Sequence, residues 1–178
     1  MRKIAGILLL VLTALIPLAP APPAAAAGTG AVVFAVGSTT ATVDGRVLTM
    51  DVAPFIDPAT GRAYVPLRFL ARALGANITW DAGAKTVTFD LEENGGQGRD
   101  LALVLAIGDK TMTVTNRPGS RGIQAQFISK QQVTMDAAPA ILRGRTMVPA
   151  FWVARSLGYT ATWNPAAGSV TLTKAVTP

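Results

Sequence analysis

The sequence predicts an α+β fold made of two tandem repeats, each a small antiparallel sheet of four to five strands curled around one short helix. Two observations lead to this prediction. Residues 61–89 recur at residues 144–172, displaced by 83 positions, and such internal similarity marks a repeated structural unit. Each copy also contains short strand-like segments separated by turn residues, together with one apolar stripe at helical spacing. Half of the 178 residues are hydrophobic, so there is enough apolar material for a core.

Glycine, arginine, proline and tryptophan recur at matched positions of the two copies. This structural signature consists of Gly61, Arg62, Pro66, Gly75 and Trp80 in copy one and of Gly144, Arg145, Pro149, Gly158 and Trp163 in copy two. Upstream, residues 49–54 match residues 134–139, displaced by 85 positions. The two recurring arginines are predicted to pair locally with the recurring acids, Asp51 and Asp136. The alternative is that these arginines bind an anionic glycan or phosphate.

The first element of copy one is a β-hairpin. Residues 40–43 and 46–50 flank an Asp-Gly pair, which suits a two-residue turn with positive φ. Residues 51–60 contain two prolines and are predicted as a loop, and residues 62–65 are predicted as extended because they precede a proline. In copy two the first hairpin gains about fifteen residues within 116–132. Long surface loops often carry function.

A short helix follows in each copy. Pro66 is predicted at its first position, where the missing N–H has no cost, and Gly75 and Gly158 are predicted to end the two helices as left-handed caps. The inward-facing stripe consists of Leu67, Leu70 and Leu74 in copy one and of Val153 and Leu157 in copy two. A helix of about nine residues is marginal alone in water, so the sheet must hold it.

A second hairpin ends each copy. It is predicted over residues 77–91 in copy one and over residues 160–173 in copy two. Each hairpin includes one tryptophan, Trp80 or Trp163. These rings are predicted to pack against the helix, because large aromatic side chains dominate core burial. The alternative is an exposed ring that stacks on sugars.

The N-terminus is predicted to be a secretory signal peptide over residues 1–27. A basic start, an apolar run and small residues follow one another in the order of a signal peptide. The apolar run is shorter than the roughly 20 residues of a membrane-spanning helix, and a retained anchor is the alternative. The predicted organisation continues with a linker over residues 28–35, module 1 over 36–93, a linker over 94–101 and module 2 over 102–176. The protein is expected to be secreted or at the cell surface, without a membrane span after cleavage.

The chain contains no histidine and no cysteine. Disulfides, thiol nucleophiles, Ser-His-Asp catalysis and metals held by His or Cys are thereby excluded, so no catalytic residue, metal site or cofactor is predicted. Sixteen Lys and Arg against ten Asp and Glu leave +6, or +4 once Arg2 and Lys3 are removed with the signal peptide. The basic residues are scattered rather than clustered, which argues against nucleic-acid binding.

The string Gly-Arg-x-x-Val-Pro, followed by a helix closing in Leu-Gly and by Trp-Asp or Trp-Asn, resembles the copper amine oxidase N-terminal-like (stalk) domain. Both copies match, from about Val36 to Lys174. The resemblance implies an exported, non-catalytic module with a small antiparallel sheet wrapped on one helix. Copy one has the arginine usual in this family after Val-Pro-x, Arg68, whereas copy two has Phe151. No copper is implied, because the chain lacks imidazole and thiolate ligands.

The favoured function is a secreted or cell-surface, non-catalytic binding or structural module of a bacterial envelope protein. One alternative is a carbohydrate- or cell-wall-polymer-binding protein, and another, of a different class, is a secreted hydrolase or its accessory domain. The candidate ligand-binding residues are Arg117, Arg121, Lys130 and Trp152. The expected partner is a wall polymer, a polysaccharide or another surface protein, and the ligand and the oligomeric state stay open.

Overall fold

The computed structural model describes residues 30–92, 99–118 and 128–174. Within these ranges, copy one forms β1 (Ala31–Ala35), β2 (Thr40–Val43), β3 (Arg46–Thr49), β4 (Phe55–Ile56), β5 (Ala63–Pro66), α1 (Leu67–Leu74), β6 (Asn77–Asp81) and β7 (Thr86–Glu92). Copy two forms β8 (Arg99–Ala106), β9 (Thr111–Pro118), β10 (Ser129–Thr134), β11 (Ala140–Leu142), β12 (Arg145–Pro149), α2 (Ala150–Ser156), β13 (Tyr159–Asn164) and β14 (Ser169–Lys174). The predicted signal peptide, residues 94–98 of the predicted linker and Arg121 lie outside the described residues.

The strands form three antiparallel sheets, and each sheet takes strands from both copies. Sheet I has the order β13-β14-β1-β2-β3, sheet II has the order β10-β9-β8-β7-β6, and sheet III has the order β11-β12-β5-β4. In sheets I and II, three strands from the start of one copy are completed by the final hairpin of the other copy. The two copies are therefore interlocked.

An approximate twofold relation centres on sheet III. Strands β5 and β12 pair with Val65 opposite Val148, flanked by the pairs Met147–Pro66 and Pro149–Tyr64. Exchanging the copies by the 83-residue offset maps the central pair onto itself and the flanking pairs onto each other. The sequence repeat thus corresponds to an approximate twofold symmetry of the structure.

The predicted fold class is wrong. The described chain is mostly β, with two helices and three sheets, instead of one curled sheet around one helix in each repeat. The reason is the choice of strand partner: β1 pairs with β14, and β8 pairs with β7. Hydrophobic alternation identifies a strand but does not specify its neighbour. Strand β1 and the first residues of β8 also occupy positions that the sequence analysis assigned to linkers.

Local structure follows the sequence predictions closely. The first hairpin turns at Asp44 and Gly45, both with positive φ, as a two-residue turn of this type requires. Both final hairpins are present. The predicted loop over residues 51–60 contains the two-residue strand β4.

The helices differ from prediction only at their ends. Pro66 is the N-cap residue of α1 in extended conformation, not its first helical residue. Gly75 caps α1 with φ 71°, and Gly158, with φ 78°, directly follows Leu157, the C-cap of α2. Positive φ is the conformation in which glycine carries no Cβ penalty. No helix in the described part of the chain is long and apolar enough to cross a membrane.

The helices join the two copies in one core. Helix α1 packs on β6 and on both central strands of sheet III, and α2 packs on β13 and on the same two central strands. The predicted stripe residues, Leu67, Leu70, Leu74, Val153 and Leu157, are all buried. A single cluster of buried residues includes side chains from both copies. Neither copy therefore has a complete core of its own. Since burial of apolar surface is the main stabilising contribution, each copy depends on the other for stability.

Candidate functional site

Two surface grooves lie where one copy meets the other, and each carries an exposed tryptophan. The Trp80 groove has a volume of about 360 Å³. Copy one contributes α1 and the final hairpin, with Leu67, Arg68, Ile78 and Trp80. Copy two contributes the start of β12, with Arg145 and Thr146. The Trp163 groove has a volume of about 120 Å³ and is built from α2, β13 and the start of β5.

The two grooves are equivalent under the repeat. Every residue that lines the Trp163 groove is the repeat partner of a residue that lines the Trp80 groove. Trp163 corresponds to Trp80, Arg62 corresponds to Arg145, and Phe151 corresponds to Arg68. The grooves are therefore two versions of one site, produced by the same interlocking of the copies.

Trp80 and Trp163 are exposed, at 45% and 44% respectively, so the prediction that they are buried is wrong. Both lie on the outermost strand of a sheet, β6 or β13. Each stands opposite a buried valine of the neighbouring strand, Val87 or Val170. Side chains on an outermost strand have a neighbouring strand on one side only, so one part of each ring stays accessible. That position is set by the sheet order, which the sequence does not specify.

The grooves differ chiefly where Phe151 replaces Arg68. The Phe151 ring packs edge-on against Trp152, with 5.4 Å between ring centroids. The guanidinium carbons of Arg62 and Arg155 lie 5.6 and 5.9 Å from the Phe151 centroid, within the range of cation–π attraction. The groove that has this ring in its lining is the smaller of the two.

The recurring arginines and acids pair, as predicted, but across the copies instead of locally. Arg62 Nε donates a hydrogen bond to Asp136 Oδ2 over 2.7 Å, and Arg145 Nε donates to Asp51 Oδ2 over 2.5 Å. The two bridges are related by the internal symmetry. All four side chains are about 40% exposed, so each bridge contributes little stability alone and mainly fixes how the copies meet.

One bridge has an additional donor. Trp152 Nε1 donates to Asp136 Oδ1 over 2.7 Å, whereas the repeat partner of Trp152 is Phe69, which has no N–H. The hydrogen bond from Arg62, and next the one from Trp152, hold the pKa of Asp136 below its ordinary value. The indole N–H of Trp152 is thus used within the fold.

The three candidate ligand-binding residues that the structure describes do not line either groove. Arg117, on β9, is paired with Asp90 over 2.7 Å. Lys130 is exposed on β10, the outermost strand of sheet II. Arg121 lies outside the described residues, and Trp152 contacts Asp136.

The Trp80 groove could not be predicted from the sequence, because its two walls come from different copies. The signal that was available is the exchange of Arg68 for Phe151 between otherwise matched positions. Among the described residues, no group of three or more acidic, histidine or cysteine side chains is placed to hold a metal ion.

These observations define a duplicated, interlocked β module whose shared residues mainly shape the fold. A family model described as the copper amine oxidase N-terminal domain matches residues 24–93 and 127–177, one segment in each copy. The chain therefore belongs to this family, as the sequence motifs indicated, and the N-terminal domain of copper amine oxidases is non-catalytic. No curated protein and no solved structure matches the chain.

Proposed function

We propose that this protein is an exported, non-catalytic module of a bacterial cell envelope that binds polysaccharide in the Trp80 groove. The observation that carries the proposal is the half-exposed Trp80 ring beside an open groove at the junction of the copies. The signal-peptide pattern of residues 1–27 supports export. Family membership supports a non-catalytic role.

The surface of the Trp80 groove has the composition of a recognition site. Trp80 is 45% exposed and Ile141, on the opposite wall, is 55% exposed. Large apolar side chains gathered at one place on a surface mark interaction sites. Tryptophan combines a large flat face with a polar N–H, and a flat face is suited to stacking on a sugar ring. Arg68, Thr79 and Thr146 add polar groups at the same groove.

The recurring acids argue against the hydrolase alternative. A general acid requires a carboxyl group with a raised pKa, whereas the pKa of Asp136 is lowered by Arg62 and Trp152. Asp51 is likewise bound to Arg145. Both carboxylates are occupied in holding the copies together.

Binding is tested by sedimentation of the purified protein, without residues 1–27, with an insoluble cell-wall polysaccharide fraction. We expect retention of the natural protein and a loss of about tenfold or more in affinity for Trp80→Ala, because buried aromatic anchors dominate binding energy. Trp163→Ala is the matched control: it removes an equally exposed tryptophan from the smaller groove and should leave retention unchanged. Absence of retention, or equal loss in both variants, would contradict the proposal.

Export is tested separately by fusing residues 1–35 to a reporter that is active only outside the cytoplasm. We expect activity from this fusion and none from a fusion that starts at residue 28. Equal activity of the two fusions would overturn the export part of the proposal.

A further inference from the structure

We infer that the ligand of the Trp80 groove is an acidic glycan whose carboxylate is bound by Arg68, an inference that rests on the proposed function. Of the two grooves, the Trp80 groove alone is assigned this role, because Phe151 takes the place of Arg68 in the Trp163 groove.

Arg68 is the available cation of the Trp80 groove. The side chain is exposed, and within the described residues no acidic group lies at ion-pair distance from it. Arg145, the other cation of the groove, is already bound to Asp51. A guanidinium group without an internal partner is free to bind an anion.

The charge of the groove is one-sided. Among the described residues its lining includes Arg68 and Arg145, of which Arg145 is paired with Asp51, and no acidic residue. Asp81 lies next to Trp80 in sequence, but its carboxylate accepts hydrogen bonds from the backbone N–H groups of Gly83 and Ala84 in the following turn. The groove therefore complements a negatively charged ligand.

The pairing of Trp80 with Arg68 favours a sugar acid over other anions. A guanidinium group binds a planar carboxylate through two parallel N–H bonds, and the neighbouring indole offers a face for the sugar ring that bears it. The groove, at about 360 Å³, falls at the small end of the range for ligand sites. It suits recognition of one or two units of a longer chain that continues into solvent.

The Trp163 groove shows what happens when the arginine is replaced. The Phe151 ring lies within cation–π range of both Arg62 and Arg155. The repeat partners of these two arginines, Arg145 and Arg72, are also present in the chain. Arg68→Phe should therefore be accommodated in the same manner. It should reduce the Trp80 groove toward the size of the Trp163 groove, about 120 Å³, without harming the fold.

The experiment measures binding of the protein, without residues 1–27, to polygalacturonate and to its fully methyl-esterified form. The two probes have the same backbone and differ in charge. We expect the natural protein to bind polygalacturonate about tenfold more tightly than the ester, as one charged hydrogen-bonded contact implies. Arg68→Ala should remove this preference, and Arg68→Phe should abolish binding of both probes with an unchanged melting temperature. Arg72→Ala removes the same charge from the same helix, outside the groove, and should bind like the natural protein.

Equal affinity for the two probes, or a preference that survives Arg68→Ala, would overturn this inference. If both probes fail while Trp80-dependent retention on cell wall persists, the acidic-glycan inference fails and the proposed function stands. If wall retention is also absent, the proposed function itself fails. Binding of poly-glutamate with the same dependence on Arg68 and at equal affinity would identify a peptide instead of a glycan and would also overturn it.

Discussion

The Trp80 and Trp163 grooves have the same construction and different contents. Each is formed by the helix and final hairpin of one copy and by the arginine-bearing strand of the other. In the Trp163 groove the Phe151 ring lies within cation–π range of two arginines, whereas in the Trp80 groove the corresponding position carries the charged side chain of Arg68. The two copies thus share the contacts that hold them together and differ on the surface between them.

The two ion pairs between the copies also share their position in the repeat and differ in their surroundings. Both bridges are retained, but only Asp136 receives a hydrogen bond from an indole. The difference arises at one position, where Phe69 in copy one corresponds to Trp152 in copy two. The bridges are thus equivalent in position and unequal in number of donors.

The largest expected effect comes from separating the copies. Peptides of residues 28–95 and 96–178 should each lack a cooperative unfolding transition, because sheets I and II each require the final hairpin of the other copy. An equimolar mixture should recover native circular dichroism and a single transition. The control is each peptide alone at the total concentration of the mixture. Independent folding of either peptide would show that the copies do not depend on one another.

A smaller effect is expected from removing the acids one at a time. Asp136→Asn should lower the free energy of unfolding by about 1 kcal/mol and Asp51→Asn by about half as much, since exposed ion pairs contribute little and Asp136 has one further charged hydrogen bond. Urea denaturation at neutral pH measures both values. Trp152→Phe introduces the residue found at the matching position of copy one, Phe69. In that background, Asp136→Asn and Asp51→Asn should lower the free energy of unfolding by similar amounts. If Asp51→Asn is the more costly change, the inequality of the bridges is refuted.

The smallest expected effect is a dependence on pH. The pKa of Asp136 is below its ordinary value of 3.8, mainly because of the hydrogen bond from Arg62. The folded state therefore binds this proton less readily than the unfolded state, and the resulting stabilisation is present above about pH 4 and lost as the pH falls through the lowered pKa. The stability difference between the natural protein and Asp136→Asn should be constant near neutral pH and shrink in acid. A difference that grows in acid would contradict this assignment.

The sequence was sufficient for features that depend on neighbouring residues. The Asp44-Gly45 turn and the left-handed Gly75 follow from backbone preferences that operate within a few positions. The leucine stripe of α1 follows from the period of the helix. The pairing of the recurring arginines with the recurring acids was also correct as to residue types.

Features that depend on distant partners were not predictable. The pairing of β1 with β14 changed the fold class, and the outermost position of β6 made Trp80 a surface residue. The same exchange of strands placed Arg145 beside Trp80. Because the two copies have matching strand patterns, the sequence does not indicate whether a strand pairs with a strand of its own copy or with the equivalent strand of the other copy.

The pairing of β1 with β14 also determines how the molecule responds to tension. Ala31, at the start of β1, lies opposite Thr173, near the end of β14, in an antiparallel ladder. A force pulling these two residues apart would load the hydrogen bonds between the strands one after another, starting at this end of the ladder. It would not load all of them at the same time. The geometry therefore offers low mechanical resistance along that direction.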